Sequence, residues 1–143
     1  MKTYKKLLGL LALAAALPLS AADPISKTVD SGDLQWGPCP PFFSDTCRIA
    51  VLHGDPAKPN ADVFFRLVGG DVFPMHTHTS AERMVLVQGT LKVEYEGHKA
   101  VMLESGSYAY GPASAPHKGH CMSEEHCVLF IAFEEPVDAF AVQ

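Results

Sequence analysis

His76 and His78 stand two residues apart in a run of apolar and β-favouring residues, and Glu82 follows four positions later. On a strand, side chains at i and i+2 leave the same face, so the two imidazoles can aim at one point. Glu82 can join them after a short turn. Two imidazoles and a carboxylate within reach of one another suit Zn, Fe, Mn, Ni or Cu. Such a set still wants a further ligand from a distant strand.

The elements that must position these groups read as strands. Arg48–His53 is a first apolar run, stopped by the turn residues Gly54-Asp55-Pro56 and Lys58-Pro59-Asn60. Ala61 to Val68 is a second, with Ala61, Val63, Phe65 and Leu67 on one face. Gly69-Gly70-Asp71 turns the chain into the histidine strand. If Glu82 faces inward, Met84 and Leu86 do so too, by the alternation of a strand. Leu91, Val93 and Tyr95 alternate with Lys92, Glu94 and Glu96, and a tight turn at Glu96-Gly97-His98 returns the chain through Lys99–Leu103. Tyr108–Gly111 is short, and Pro112 and Pro116 stiffen the bend after it. His117 to Met122 and Cys127 to Phe133 read as a final hairpin around Ser123-Glu124-Glu125-His126. No helical period stands out. Many short strands at near-regular spacing make the fold class all-β, a sandwich or barrel.

The first 22 residues read as a signal peptide. Lys2, Lys5 and Lys6 precede an apolar stretch from Leu7 to Leu17, Pro18 breaks it, and Ser20-Ala21-Ala22 offers small residues for cleavage after Ala22. The stretch falls short of the ~20 residues that span a bilayer, so stable membrane insertion is not expected. The reading is of a periplasmic or secreted protein. What remains is one domain's worth of chain: an irregular arm over residues 23–47, then a β-barrel domain over 48–143. Trp36, Phe42 and Phe43 are expected to pack the arm onto the body.

Removing three lysines and none of the 16 acidic residues leaves 8 basic side chains, a formal net charge of −8. Such a surface repels phosphate backbones, which excludes nucleic acid as a natural partner. Four cysteines, Cys39, Cys47, Cys121 and Cys127, allow three pairings. The local pairing, Cys39–Cys47 with Cys121–Cys127, is favoured because each pair brackets a turn-like segment, and export permits disulfides.

The run Gly70 … His76-Thr77-His78 … Glu82 … Gly89 resembles the first motif of the cupins, at full spacing. A weakened second motif follows: Gly106, then Pro112, then His117, with Ser114 where the family has glycine and Cys121 where it has asparagine. The resemblance spans about residues 61–133. It implies a double-stranded β-helix, a jelly-roll barrel with one divalent transition metal ion (Fe, Mn, Zn, Ni or Cu) inside its mouth. The implied ligands are His76, His78, Glu82 and His117, with Glu82 also able to accept a proton as a catalytic group. Pairing of two copies into a homodimer is a further expectation by resemblance.

Such a ligand set leaves coordination positions open for water or substrate. The expected function is a metal-dependent enzyme, an oxygenase or oxalate-type enzyme acting on a small enolate, catecholate or carboxylate. A binding or sensing module without turnover is the alternative. Phe65, Met84, Leu86 and Phe130 are expected to line the barrel, Tyr108 and Tyr110 to pack in the core, and His53, His98, His120 and His126 to face solvent.

Overall fold

The computed structural model describes residues 23–143; the expected leader lies outside them. Eleven strands form two antiparallel sheets that face each other. One sheet holds β1 (Trp36–Pro38), β2 (Arg48–His53), β3 (Asp62–Val68), β10 (His126–Phe133), β5 (Glu82–Gln88) and β8 (Tyr108–Gly111), in that order. The other holds β11 (Phe140–Ala141), β4 (Val72–Thr77), β9 (His117–Cys121), β6 (Thr90–Tyr95) and β7 (Val101–Glu104). This is the all-β jelly roll that the motifs imply.

Alternation explains which side chains meet between the sheets. Val63 and Leu67 from β3, Met84 and Leu86 from β5, and Leu129 and Ile131 from β10 are buried against Phe73, Leu91, Val93 and Leu103 of the facing sheet. Each buried aliphatic side chain stabilises the fold by about 1.5–3 kcal/mol.

The arm is built into the larger sheet rather than laid over it. β1 pairs with β2, and Trp36 stacks on Phe64 with ring centroids 6.5 Å apart. The Arg66 guanidinium sits 4.1 Å from the Trp36 ring, a cation–π contact that finishes this outer layer. Phe64, on the outer face of β3, is buried for this reason.

Three expectations need correction. β9 and β10 occupy the expected stretches but are not a hairpin. β9 pairs with β4 and β6, whereas β10 pairs with β3 and β5, so the Ser123–Glu125 segment crosses from one sheet to the other. Tyr108 and Tyr110 are 62% and 51% exposed, because β8 turns Ala109 and Gly111 inward instead. Phe130 is half-buried on the outer face of β10, and its neighbours Leu129 and Ile131 line the interior.

Both expected disulfides are present, Cys39–Cys47 and Cys121–Cys127. Because β9 and β10 lie in different sheets, the second ties the sheets together at one end of the barrel. The first closes the loop of the arm that carries Phe42 and Phe43.

Candidate metal centre

A break in alternation brings His76 inward. Phe73 pairs with Gly119 and His76 with His117, so two residues on β4, Pro74 and Met75, oppose one on β9. This is a bulge, placed where Pro74 has no N–H to give the ladder. It lets Phe73 and His76 face the interior although they are three residues apart; both are buried. Gly119 makes room for the Phe73 ring, which lies where a Cβ at 119 would stand. His78 follows just beyond the end of β4, and Glu82 opens β5 in the opposite sheet. His117 opens β9, beside His76 and Tyr95.

Ligand-type nitrogens of His76, His78 and His117 lie within 4.8 Å of one another, and all three side chains are buried. These three histidines form a group that can hold a metal ion. Glu82 completes the cluster from across the barrel. Its Oε1 lies 3.4 Å from His78 Nε2 and its Oε2 lies 3.6 Å from His117 Nε2. These are the four residues of the two sequence motifs, and the fold brings all four together. His53 and His98 are exposed, and His120 and His126 half-buried, away from the cluster.

The donor set fits a metal. Each imidazole engages a backbone carbonyl through Nδ1: His76 with Pro74 (2.8 Å), His117 with Ala115 (3.0 Å) and His78 with Asp138. A carbonyl only accepts, so Nδ1 carries the proton and Nε2 presents its lone pair. This is how metal-binding imidazoles are fixed in tautomer and orientation. Two of the three carbonyls lie two residues before their own histidine, in Pro-Met-His and Ala-Pro-His.

Burial sets the charge state of the cluster. It pushes His76 down to about 3, helped by the neighbouring His117, and His117 down to about 4; His78 is lowered as well. Burial raises Glu82 to about 8. Without a cation the cluster is four neutral polar groups in an apolar shell.

His78, Glu82 and His117 of the cluster form part of the wall of a cavity of about 190 Å³. Phe43, Phe65, Phe73, Met84, Leu129 and Phe133 supply most of the remaining wall, Cys39 and Pro40 come from the arm, and Val137, Asp138 and Ala139 from the C-terminal segment. No lysine or arginine lines it. The arm therefore does more than cover the body. Phe43 meets His76 edge-on at 5.0 Å between centroids and Phe65 at 5.8 Å.

Two contributors to the site were not legible as such. Tyr95 stacks on His117 at 4.9 Å with rings 28° apart, and burial together with the Glu82 charge raises its hydroxyl. Strand alternation placed it inward with Leu91 and Val93, but nothing marked it as belonging to the site. Asp138 contributes a backbone carbonyl, which no side-chain pattern reveals.

Comparison with known proteins agrees with this fold. The family described as the ChrR cupin-like domain matches residues 26–136. The chain belongs to that cupin family. No curated protein matches it significantly. Among solved structures, the DMSP lyase DddQ from Ruegeria pomeroyi is 17% identical, with a TM-score of 0.65 over 76% of this chain and 61% of the lyase. The polyketide cyclase RemF from Streptomyces resistomycificus is 16% identical, with a TM-score of 0.67 over 83% of this chain and 87% of the cyclase. An oxalate oxidase in complex with glycolate is 14% identical, with a TM-score of 0.54 over 58% of this chain and 46% of the oxidase. This cupin thus spans about three-fifths of the length of the lyase. At these identities the likeness is one of fold.

Proposed function

We propose that this cupin is an exported metal-dependent enzyme, an oxygenase or oxalate-type enzyme acting on a small enolate, catecholate or carboxylate. In this reading His76, His78, His117 and Glu82 hold one divalent transition metal ion. The observation that carries it is the pairing of that cluster with a cavity free of cationic side chains. An anion entering such a cavity has no lysine or arginine to meet, and burying a charge without a partner is costly. A bound divalent ion would supply the missing positive charge, act as a Lewis acid and leave positions open for substrate.

The chain's own residues define the rest. Phe43, Phe65, Phe73 and Phe133 exclude water and limit the substrate to a small molecule. The Pro74, Ala115 and Asp138 carbonyls keep each Nε2 directed at the cluster. Glu82 loses its proton to enter the ligand set, and is the group placed to take a proton from a bound enol, catechol or acid. The two disulfides support an oxidising periplasmic or extracellular setting. That DMSP lyase, polyketide cyclase and oxalate oxidase share this fold supports an enzymatic use of the cavity.

The test is oxygen uptake and product analysis with metal-loaded protein over oxalate, catechols, enediols, flavonols and thiols. Turnover of one substrate class is expected, and its loss in His117→Ala. A consistent null across the panel with the metal in place overturns the enzymatic reading in favour of a binding module.

A further inference from the structure

Among the described residues, one buried side-chain polar atom has no hydrogen-bond partner: the hydroxyl of Tyr95. Buried hydroxyls are nearly always paired, and an orphan calls for an explanation. Its surroundings supply one. In register, Tyr95 sits beside His117 on β9, while Glu82 sits beside Gly111 on β8 in the facing sheet. A Cβ on Gly111 would lie 2.5 Å from the Tyr95 oxygen and 3.2 Å from Glu82 Oε2. The phenol therefore reaches across the barrel into the space left by the missing side chain at 111, and arrives next to the Glu82 carboxyl. The polar contacts of that carboxyl are the Nε2 atoms of His78 and His117, at 3.4 and 3.6 Å, and neither imidazole nitrogen carries a proton to donate. An unpaired donor and a carboxylate without a fixed donor flank the same position, above Gly111.

We infer that Tyr95 is a positioning residue for Glu82: its hydroxyl is the donor that holds Oε2 and so aims the carboxylate at the imidazoles. The inference rests on the reading of Glu82 as a metal ligand, since ligating carboxylates are themselves held by hydrogen bonds from the surrounding shell. The carboxylate torsion of a glutamate is soft, so Oε2 can turn toward the hydroxyl. The ring of Tyr95, stacked on His117, fixes where the hydroxyl can go. Gly111 is then required for space, because any side chain there occupies the meeting point of the two oxygens.

Tyr95→Phe isolates the hydroxyl, because it keeps the ring against His117. With Co(II) as probe, calorimetry and the visible spectrum of the bound ion are compared in the wild type, Tyr95→Phe, Glu82→Gln and the double variant. Expected is about a tenfold loss of Co(II) affinity and an altered spectrum in Tyr95→Phe, with no further loss when Tyr95→Phe is added to Glu82→Gln. Gly111→Ala, which drives a methyl between the oxygens, should reproduce the Tyr95→Phe loss. An equal loss from Tyr95→Phe in both backgrounds, or none in the wild type, overturns the inference. If the wild type binds no Co(II), the same four proteins are compared by thermal unfolding, which reads the bond without any metal. Non-additive shifts there support the Tyr95–Glu82 bond, and additive shifts overturn it.

Discussion

Asp138 holds His78 from 60 residues away. Its backbone carbonyl accepts a hydrogen bond from the Nδ1–H of the imidazole, and its Oδ1 accepts one from the Thr79 N–H at 2.8 Å. The next residues continue as β11, which pairs Phe140 with Thr77 and Ala141 with His76. The C-terminal segment is thus a clamp on the histidine strand. Deleting residues 137–143 should leave both sheets folded but release His78 and one wall of the cavity. Metal affinity is expected to fall about 10- to 100-fold, the usual effect of losing such an outer partner. Calorimetric titration against the full chain reads this directly; unchanged affinity would remove Asp138 from the site.

Proton release follows from the charge state of the cluster. At pH 7 the imidazoles are already neutral, because burial lowers all three, while Glu82, raised to about 8, keeps its proton. Metal binding therefore displaces about one proton, from Glu82, and affinity should climb about tenfold per pH unit up to about pH 8. Titrations in buffers of different ionisation enthalpy count that proton. If the slope steepens toward four protons below pH 6.5, the three imidazoles titrate normally beside Glu82 and the burial argument fails.

Stability of the metal-free protein has a matching pH profile. The lowered imidazoles mean that the unfolded chain takes up protons below 6.5 while the folded one does not, so stability is lost as pH falls toward 4. Raised Glu82 acts the other way: its contribution is full below 4.5 and is lost as pH rises toward 8. Three imidazoles outweigh one carboxyl on the acid side, so the melting temperature should climb to about pH 7 and then decline gently. Metal loading should abolish the alkaline decline. Calorimetric scans with and without metal check both limbs.

The two disulfides should separate stability from site geometry. Removing either, as Cys39→Ala/Cys47→Ala or Cys121→Ala/Cys127→Ala, is expected to cost about 2 kcal/mol by loop-closure entropy. Cys39 lines the cavity, and its loop carries Phe43 onto His76. Loss of that pair should also weaken metal binding, whereas loss of the bond between β9 and β10 should act on stability alone. Urea unfolding and metal titration of the two double variants distinguish these outcomes.

The site was more legible in the sequence than the path of the chain around it. His76, His78, Glu82 and His117 stand at the spacing of the cupin motifs, and the fold brings their side chains together. The turn after Cys121 looked like a hairpin because two apolar runs flank Ser123-Glu124-Glu125. Local pattern cannot say that these runs belong to opposite sheets. Tyr108 and Tyr110 are expected to pack in the core, but their small neighbours Ala109 and Gly111 face inward. At Gly111 the inner space is already filled by the phenol of Tyr95, 16 residues upstream. The bulge at Pro74 broke the alternation that would have placed Phe73 outside. In each case the deciding contact is non-local.

The central claim is that four named side chains hold one metal ion. Protein stripped of metal, reconstituted in turn with Mn, Fe, Ni, Cu and Zn, and analysed by mass spectrometry of its metal content tests it most directly. The account predicts about one ion per chain for at least one of these metals in the wild type, and loss of most of it in His76→Ala. Substoichiometric metal under every condition, or full occupancy in His76→Ala, would contradict it.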